Sequence, residues 1–504
     1  MNNYYKDVLR LVSMNFLVIL ILLLIFIPIA NAQSEDKLIL QEKVVFGYTI
    51  ASIGDLNRDG INDIAVGSPY DHDGGYNTGA VYILFLNSDG TVKSHQKISS
   101  TQGNFHGDIE PHDAFGRSIS NIGDFNGDGI DDIVVGAYHD DDGGYNTGAV
   151  YILFLNSDGT VKSHQKISST QGNFHEDIES GDCWGNAVTG LGDLNGDGIN
   201  DIAVGAHSNY APDKPHIRVG AVHILFLNSD GTVNSSQELS NSHGNLQFTI
   251  EENDSFGISV MNIGDLNDDG IIDLGVGAYG DSDAGADTGA VYILFLNSDG
   301  TVKSHQKISS TQGNFSPKLE PGDMLGHDLT PIGDLNGDGI NDIAVGAHGD
   351  DDSKFSVPTF LGVEDTYAKG AVYILFLNSD GTVKSHQKIS EKSGHFNLEL
   401  NDILQPNDAF GFSVSQIGDL NGDGINDIAV GSPYSDSQNK VLPDSGSIHI
   451  LFLNSDGMVK SNTTFPNFES NTSEFNFITI LILICAVAVG IFLLIKRRDR
   501  LTAK

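Results

Sequence analysis

Residues 46–67 read FGYTIASIGDLNRDGINDIAVG, and this stretch decides the fold because the chain repeats its pattern five more times. At its centre stand Asp55, Asn57, Asp59, Gly60 and Asp63. Oxygen-bearing side chains at loop positions 1, 3, 5 and 9, with the main-chain carbonyl of Ile61 at position 7, can wrap a hard cation that takes six to eight oxygen ligands. Gly60 permits the sharp turn that aims them inward.

The same set recurs in every copy. It stands at Asp124, Asn126, Asp128, Ile130 and Asp132, at Asp193, Asn195, Asp197, Ile199 and Asp201, and at Asp265, Asn267, Asp269, Ile271 and Asp273. The last two copies are Asp334, Asn336, Asp338, Ile340 and Asp342, then Asp419, Asn421, Asp423, Ile425 and Asp427. A single D-x-D-G is a weak signal, since Asp, Asn and Gly crowd ordinary turns. Six intact copies are specific. An EF-hand needs a glutamate at position 12 and flanking helices, whereas position 12 is Val66, Val135, Val204, Val276, Val345 and Val430, between strand-like runs such as IAVG. The expectation is a Ca²⁺ loop inside a β-hairpin, with up to six ions per chain.

The repeats begin at Phe46, Phe115, Trp184, Phe256, Leu325 and Phe410. Each holds four strand-like runs, in the first copy 46–53, 64–67, 80–86 and 92–98. The acidic loop joins runs one and two, an acidic Gly-rich loop joins two and three, NSDGT joins three and four, and a longer polar segment leads onward. Four antiparallel strands per repeat around a central axis describe an all-β propeller, with six blades preferred to seven because no sequence remains for another copy. The unbroken apolar runs VYILFL and IAVG fit mid-blade strands covered on both faces. Phe at each start fills the gap between blades, and the following Gly allows close approach. Residues 37–45, KLILQEKVV, resemble a fourth-strand run and are expected to close the ring by joining the last blade.

The 504 residues carry 67 acidic against 27 basic side chains, a formal net charge of −40. Such a surface excludes nucleic acid as a partner, while bound divalent cations would offset part of the charge. Only two cysteines occur, and Cys485 lies in an apolar span, so Cys183 has no disulfide partner within the fold. Metal loops are then the available staple for an exported chain.

Residues 1–32 read as a secretory signal: Lys6 and Arg10 in a polar start, an apolar run over 16–29, then Ala30-Asn31-Ala32. Residues 33–460 form the repeat body, and 461–475 a polar stalk with glycosylation-type triplets at Asn462 and Asn471. Residues 476–495 are the length of a transmembrane helix, and the basic tail 496–504 begins Lys496-Arg497-Arg498, which stays on the cytoplasmic side. The body is thus expected at the cell surface, N-terminus outside, held by a single C-terminal helix.

The ordered set of FG, IGDLNGDGINDIAVGA and GAVYI resembles the FG-GAP repeat of integrin alpha-chain propellers and their prokaryotic relatives, over roughly residues 37–460. The resemblance implies a calcium-binding propeller of cell-surface, adhesive type. Two departures matter. Integrin alpha chains have seven blades with metal loops in only some, and they carry further stalk domains, so heterodimer signalling is not implied.

Antiparallel alternation puts the metal loops and NSDGT turns on one face, and the loops between strands two and three on the other. The first face is nearly invariant, since residues 79–105, 148–174 and 289–315 are identical. The opposite face varies, and its longest loops lie at 207–220 and 350–370. Variable loops carry binding more often than scaffold does. Tyr210, Lys214, Arg218, Phe355, Phe360 and Tyr367 are the candidate anchors for an extracellular protein or glycan. The alternative is a calcium-dependent surface hydrolase on a propeller scaffold. Against it, His95, His164, His305 and His386 recur blade by blade, as do the D-x-F-G acids Asp113, Asp182, Asp254, Asp323 and Asp408, so none marks a unique catalytic centre.

Overall fold

The structure, a computed structural model, describes residues 44–465 except 177, 212–213, 352–355, 359–363, 367, 395–403, 406 and 437–442. The signal segment, the transmembrane span, the basic tail, Asn471 and the candidates Phe355, Phe360 and Tyr367 lie outside the described residues. Among the described residues no helix is long and apolar enough to cross a membrane.

Six four-stranded antiparallel sheets follow one another along the chain. In the first, β1 (Thr49–Ser52), β2 (Ile64–Ser68), β3 (Ala80–Leu86) and β4 (Val92–Ile98) pair in sequence order. β2 and β3 are buried throughout, as unbroken apolar runs require, whereas β4 mixes buried and exposed positions. The last blade ends in the strand Val459–Phe465, so the first five residues of the expected stalk belong to the propeller. Asn462 sits within that strand, opposite Leu451.

The ring is closed by one joint made six times. Phe115 donates its N–H to Thr78 O at 3.0 Å, and the Trp184–Thr147, Phe256–Val219, Leu325–Thr288 and Phe410–Lys369 bonds are equivalent. Between the last blade and the first, Phe46 donates to Ser445 O at 3.2 Å. Closure therefore uses the ordinary joint. The outer strand of blade six is its own, so residues 44–45 do not extend that sheet, and the rest of the expected closing run lies outside the described residues.

Each joint has a fixed backbone. The residue before the aromatic or leucine is left-handed (Val45 φ 48°, Ala114 57°, Cys183 57°), and so is the glycine after it (Gly47 83°, Gly116 86°, Gly185 84°). In blade one the innermost strand starts at Thr49, after this kink, and not at Phe46 as its apolar pattern suggested, whereas in blade five it starts at Leu325 itself. The ring side chain itself fills the gap: Phe46 and Trp184 are fully buried, and Trp184 stacks on Phe174 at 4.8 Å between centroids.

On the other side of each joint a second glycine is demanded. A Cβ on Gly79, which has φ +89°, would overlap the Phe115 carbonyl and amide. Gly79→Ala should lower stability by about 2–4 kcal/mol through left-handed strain and overlap together. Denaturant unfolding measures this, and an unchanged midpoint would contradict the joint's role.

Candidate functional site

The six acidic loops adopt one conformation. In blade one, Asp55 accepts the amides of Asp59 at 2.9 Å and Gly60 at 2.7 Å, and Asp59 Oδ1 accepts the Ile61 amide at 3.1 Å. These bonds reappear at Asp124, Asp193, Asp265, Asp334 and Asp419. The side chains thus shape the turn through its own amides, the Asx logic by which aspartate favours turns.

The position-9 aspartate has a role that sequence reasoning assigned only to metal. Strand three carries a bulge between Phe85 and Leu86, which takes the Leu86 amide out of the ladder with strand four. Asp63 Oδ1 accepts that amide at 3.1 Å, and Oδ2 accepts Leu56 N at 3.1 Å and Asn57 Nδ2 at 3.2 Å. Asp132, Asp201, Asp273, Asp342 and Asp427 take the matching leucine amides at 3.0–3.2 Å. All six are buried. Burial pushes five of them up to about 6 and Asp273 up to about 7.

At position 5 a lysine meets the carboxylate in five blades: Lys93–Asp59 2.7 Å, Lys162–Asp128 2.6 Å, Lys303–Asp269 2.8 Å, Lys384–Asp338 2.6 Å and Lys460–Asp423 2.8 Å. In blade three Asn234 replaces the lysine, and the Asp197 carboxylate accepts Asn195 Nδ2 at 3.0 Å and the Ile199 amide at 2.9 Å. These lysines open the fourth strand, which places the metal loops and the three-to-four turns on one face. The oxygen donors suit a hard cation in kind. Among the described residues, however, no three acidic, His or Cys side chains converge tightly enough to hold an ion.

Position 8 escaped sequence reasoning. Asn62 donates to Ile417 O at 3.1 Å, Asn200 to Ile122 O at 2.7 Å, Asn341 to Ile263 O at 2.8 Å and Asn426 to Ile332 O at 2.9 Å, each on a neighbouring blade. The acidic loop therefore clamps adjacent blades as well as turning the chain. The recurring "IND" spelling was the available signal.

The opposite face is built on a buried ion network. In blade two, Lys166 pairs with Asp140 at 2.7 Å and Asp142 at 2.8 Å, and Tyr151 reaches Asp140 at 3.3 Å. Blades one, four and five repeat it through Lys97–Asp71, Lys307–Asp281 and Lys388–Asp350. Blades three and six replace all three partners together. Asn209, His223 and Glu238 stand in one, Ser435, His449 and Thr464 in the other. A buried charge is costly alone, so the set changes as a unit. The D-x-F-G acids sit beside this layer and cap their turns: Asp113 accepts the Glu110 amide at 2.7 Å, Asp182 that of Glu179 at 2.8 Å.

Of the candidate anchors, Tyr210 and Arg218 meet on a two-stranded ribbon, Tyr210–Ala211 against Lys214–Arg218. Arg218 stacks on the Tyr210 ring, 5.5 Å from its centroid, and donates to its hydroxyl at 3.4 Å. Lys214 begins the second strand of that ribbon. A second ribbon, Ser356–Pro358 against Glu364–Thr366, occupies the long loop of blade five.

The FG-GAP repeat matches at residues 46–84, 115–153, 184–225, 330–375 and 410–451. This chain is an FG-GAP repeat protein of integrin alpha-like type. The fourth blade, outside the matched residues, is built the same way, from Val260–Gly264 to Val302–Ile308. Mouse integrin alpha-2 is 34% identical over 165 residues, covering 32% of this chain and 13% of the relative. Drosophila melanogaster integrin alpha-PS5 is 32% identical over 208 residues, 40% of the chain and 18% of the relative. Xenopus laevis integrin alpha-5 is 33% identical over 255 residues, 49% of the chain and 20% of the relative. The matched part is thus a fifth or less of each relative's length.

Two substitutions test the charge layer. Lys166→Met should cost about 3–5 kcal/mol by stranding the buried Asp140 carboxylate and the partly exposed Asp142 beside it, and D140N/K166M should lose less than the two single losses added. Urea unfolding of the cycle checks both. His223, whose ring nitrogens have no partner among the described residues, is pushed down to about 4 by burial. Its folded value lies below its unfolded value near 6.5, so its contribution to stability is intact above that pH and lost as pH falls toward 4. Between pH 7.5 and 5 the native chain should lose about 2 kcal/mol more than H223F. Equal losses would show that His223 titrates alike in the folded and unfolded chain.

Proposed function

We propose that this FG-GAP protein is a membrane-anchored, extracellular, calcium-binding propeller that serves adhesion or surface interaction, and that it is a binder and not an enzyme. The observation that carries this reading is the contrast between the two faces. One repeats the same five ligand positions six times and the lysine that meets them in five blades. The other replaces its loops blade by blade and raises ribbons on blades three and five. A rigid scaffold with one variable face suits recognition of a protein or glycan. The integrin alpha relatives support an adhesive role, and the apolar residues 476–495 followed by a basic tail support the anchor.

For the metal, Asp55, Asn57, Asp59, the Ile61 carbonyl and Asp63 and their five counterparts would supply oxygen ligands. Binding would require Asp59 to exchange Lys93 for the ion. That lysine is solvent-exposed, so the pair it leaves contributes little. Asp197 has no lysine to displace, and the blade-three loop should fill at the lowest calcium concentration. Occupied loops would fix the amide clamps between blades, so calcium would stiffen the ring that carries the variable face.

Thermal unfolding of the full-length chain in millimolar calcium and in chelator, with bound-metal analysis, tests the reading. Each site held at about a hundred times its Kd adds about 2.7 kcal/mol. The expected result is a large calcium-dependent rise in midpoint and near six ions per chain. No shift and no bound metal would reduce the loops to turns and clamps. Replacement of residues 353–369 by the short loop of blade one should abolish binding to cells or matrix; unchanged binding would remove blade five from the ligand site.

A further inference from the structure

One layer of the propeller abandons the repeat. The residue after each joint glycine comes from a different blade, and the six are Tyr48, Arg117, Asn186, Ile258, His327 and Phe412. All six are buried, and all six line an axial cavity of about 470 Å³. Around them the blades are near copies of one another, yet here no two residues agree. A symmetric channel would need only one residue type. An asymmetric collar fits one occupant in one orientation, and the volume is that of a small-molecule site.

Arg117 is the group that most requires an occupant. It is 9% exposed, and its guanidinium lies 4.6 Å from the Tyr48 ring centroid and 5.3 Å from that of Tyr138. Those rings attract the cation through its faces and are not acceptors in the plane of its N–H donors. Among the described residues it forms no ion pair, and its Nε has no acceptor. Asp328 lines the same cavity but accepts the Val414 amide at 2.8 Å and does not pair with Arg117. A buried cation without an ion pair is unfavourable, and an anion entering the cavity would supply its counter-charge.

The class of that anion follows from the charge balance. Among the described residues Arg117 is the one arginine or lysine lining the cavity, and burial holds His327 beside it neutral, so Arg117 is the collar's one fixed positive charge. One guanidinium matches one monoanion. Its planar fork fits the two oxygens of a carboxylate, and the net charge of −40 repels polyanions.

We propose that the axial cavity is a carboxylate-binding site, in which Arg117, stacked on Tyr48 and Tyr138, holds the two oxygens of a small organic acid or of an inserted acidic side chain. The site stands apart from the adhesion reading, because it rests on the channel lining and not on the variable loops.

The test is titration of the full-length chain in detergent with acetate, propionate and a blocked Ala-Glu-Ala peptide, followed by calorimetry and by saturation transfer from the tyrosine ring protons. Saturable binding with transfer to the acid's protons is expected. Binding of the free acids points to a small metabolite-like ligand, and binding of the peptide alone to an inserted side chain. Arg117→Gln should weaken binding at least about tenfold, with an unfolding midpoint no lower than that of the native chain. Arg117→Lys keeps the charge, loses the fork and should fall between, which keeps the question open to measurement if the glutamine variant does not fold. Affinity unchanged in both variants, or no saturable carboxylate binding by the native chain up to about 100 mM, would overturn the proposal.

Discussion

The structure depends on the joint in which Phe115 or its equivalent donates one amide to the preceding blade between two left-handed residues. Six sheets arranged around an axis must each turn by the same angle, and a strand cannot make that turn within its own ladder. The kink at Ala114 and Gly116 makes it, the buried ring fills the wedge it opens, and Gly79 lets the carbonyl of Phe115 come close. The same joint also links Phe46 to Ser445, so the last blade meets the first as every other neighbouring pair meets. Further bonds reinforce it, as at Asn62 to Ile417 O on the axis side and Thr463 to Asp89 O at the rim.

Aspartate does several kinds of work on this scaffold. At position 1 of the loop it satisfies amides of the turn, and at position 9 it takes the amide that a bulge in strand three has released. On the opposite face Asp140 anchors a lysine inside the blade. Much of the chain's acidity is thus structural before any cation is considered, and the position-9 carboxylate would be retained for the fold alone. This is also why the coordinated loss of the Asp, Tyr and Lys set in blades three and six is informative: removing one buried charge obliges removal of its partner.

The two faces differ in how they could have evolved within one architecture. Loops on the side of the acidic turns are bound to strand three, to strand four and to the neighbouring blade, so each residue there has several partners. Ribbons such as Tyr210–Ala211 with Lys214–Arg218 stand on the ends of strands two and three and can change without disturbing the ladder. A propeller built from near-identical blades therefore concentrates its individuality in the variable loops and in the collar around the axis.

The sequence by itself determined the blade count, the strand order, the acidic loops and the assignment of loops to faces, because each is written in local periodicity and repeated within about seventy residues. It also carried the FG-GAP resemblance that the matched segments bear out. Strand starts were less legible: 46–48 read as strand, but left-handed backbone at Val45 and Gly47 makes them a joint. The second use of Asp63, the clamp by Asn62 and the collar of Tyr48, Arg117, Asn186, Ile258, His327 and Phe412 were decided only by tertiary structure. Each joins groups that are far apart in the chain, and the collar gathers one residue from every blade, so no window of sequence contains it. What converges on an axis is set by how the ring closes, and that is a property of all six joints at once.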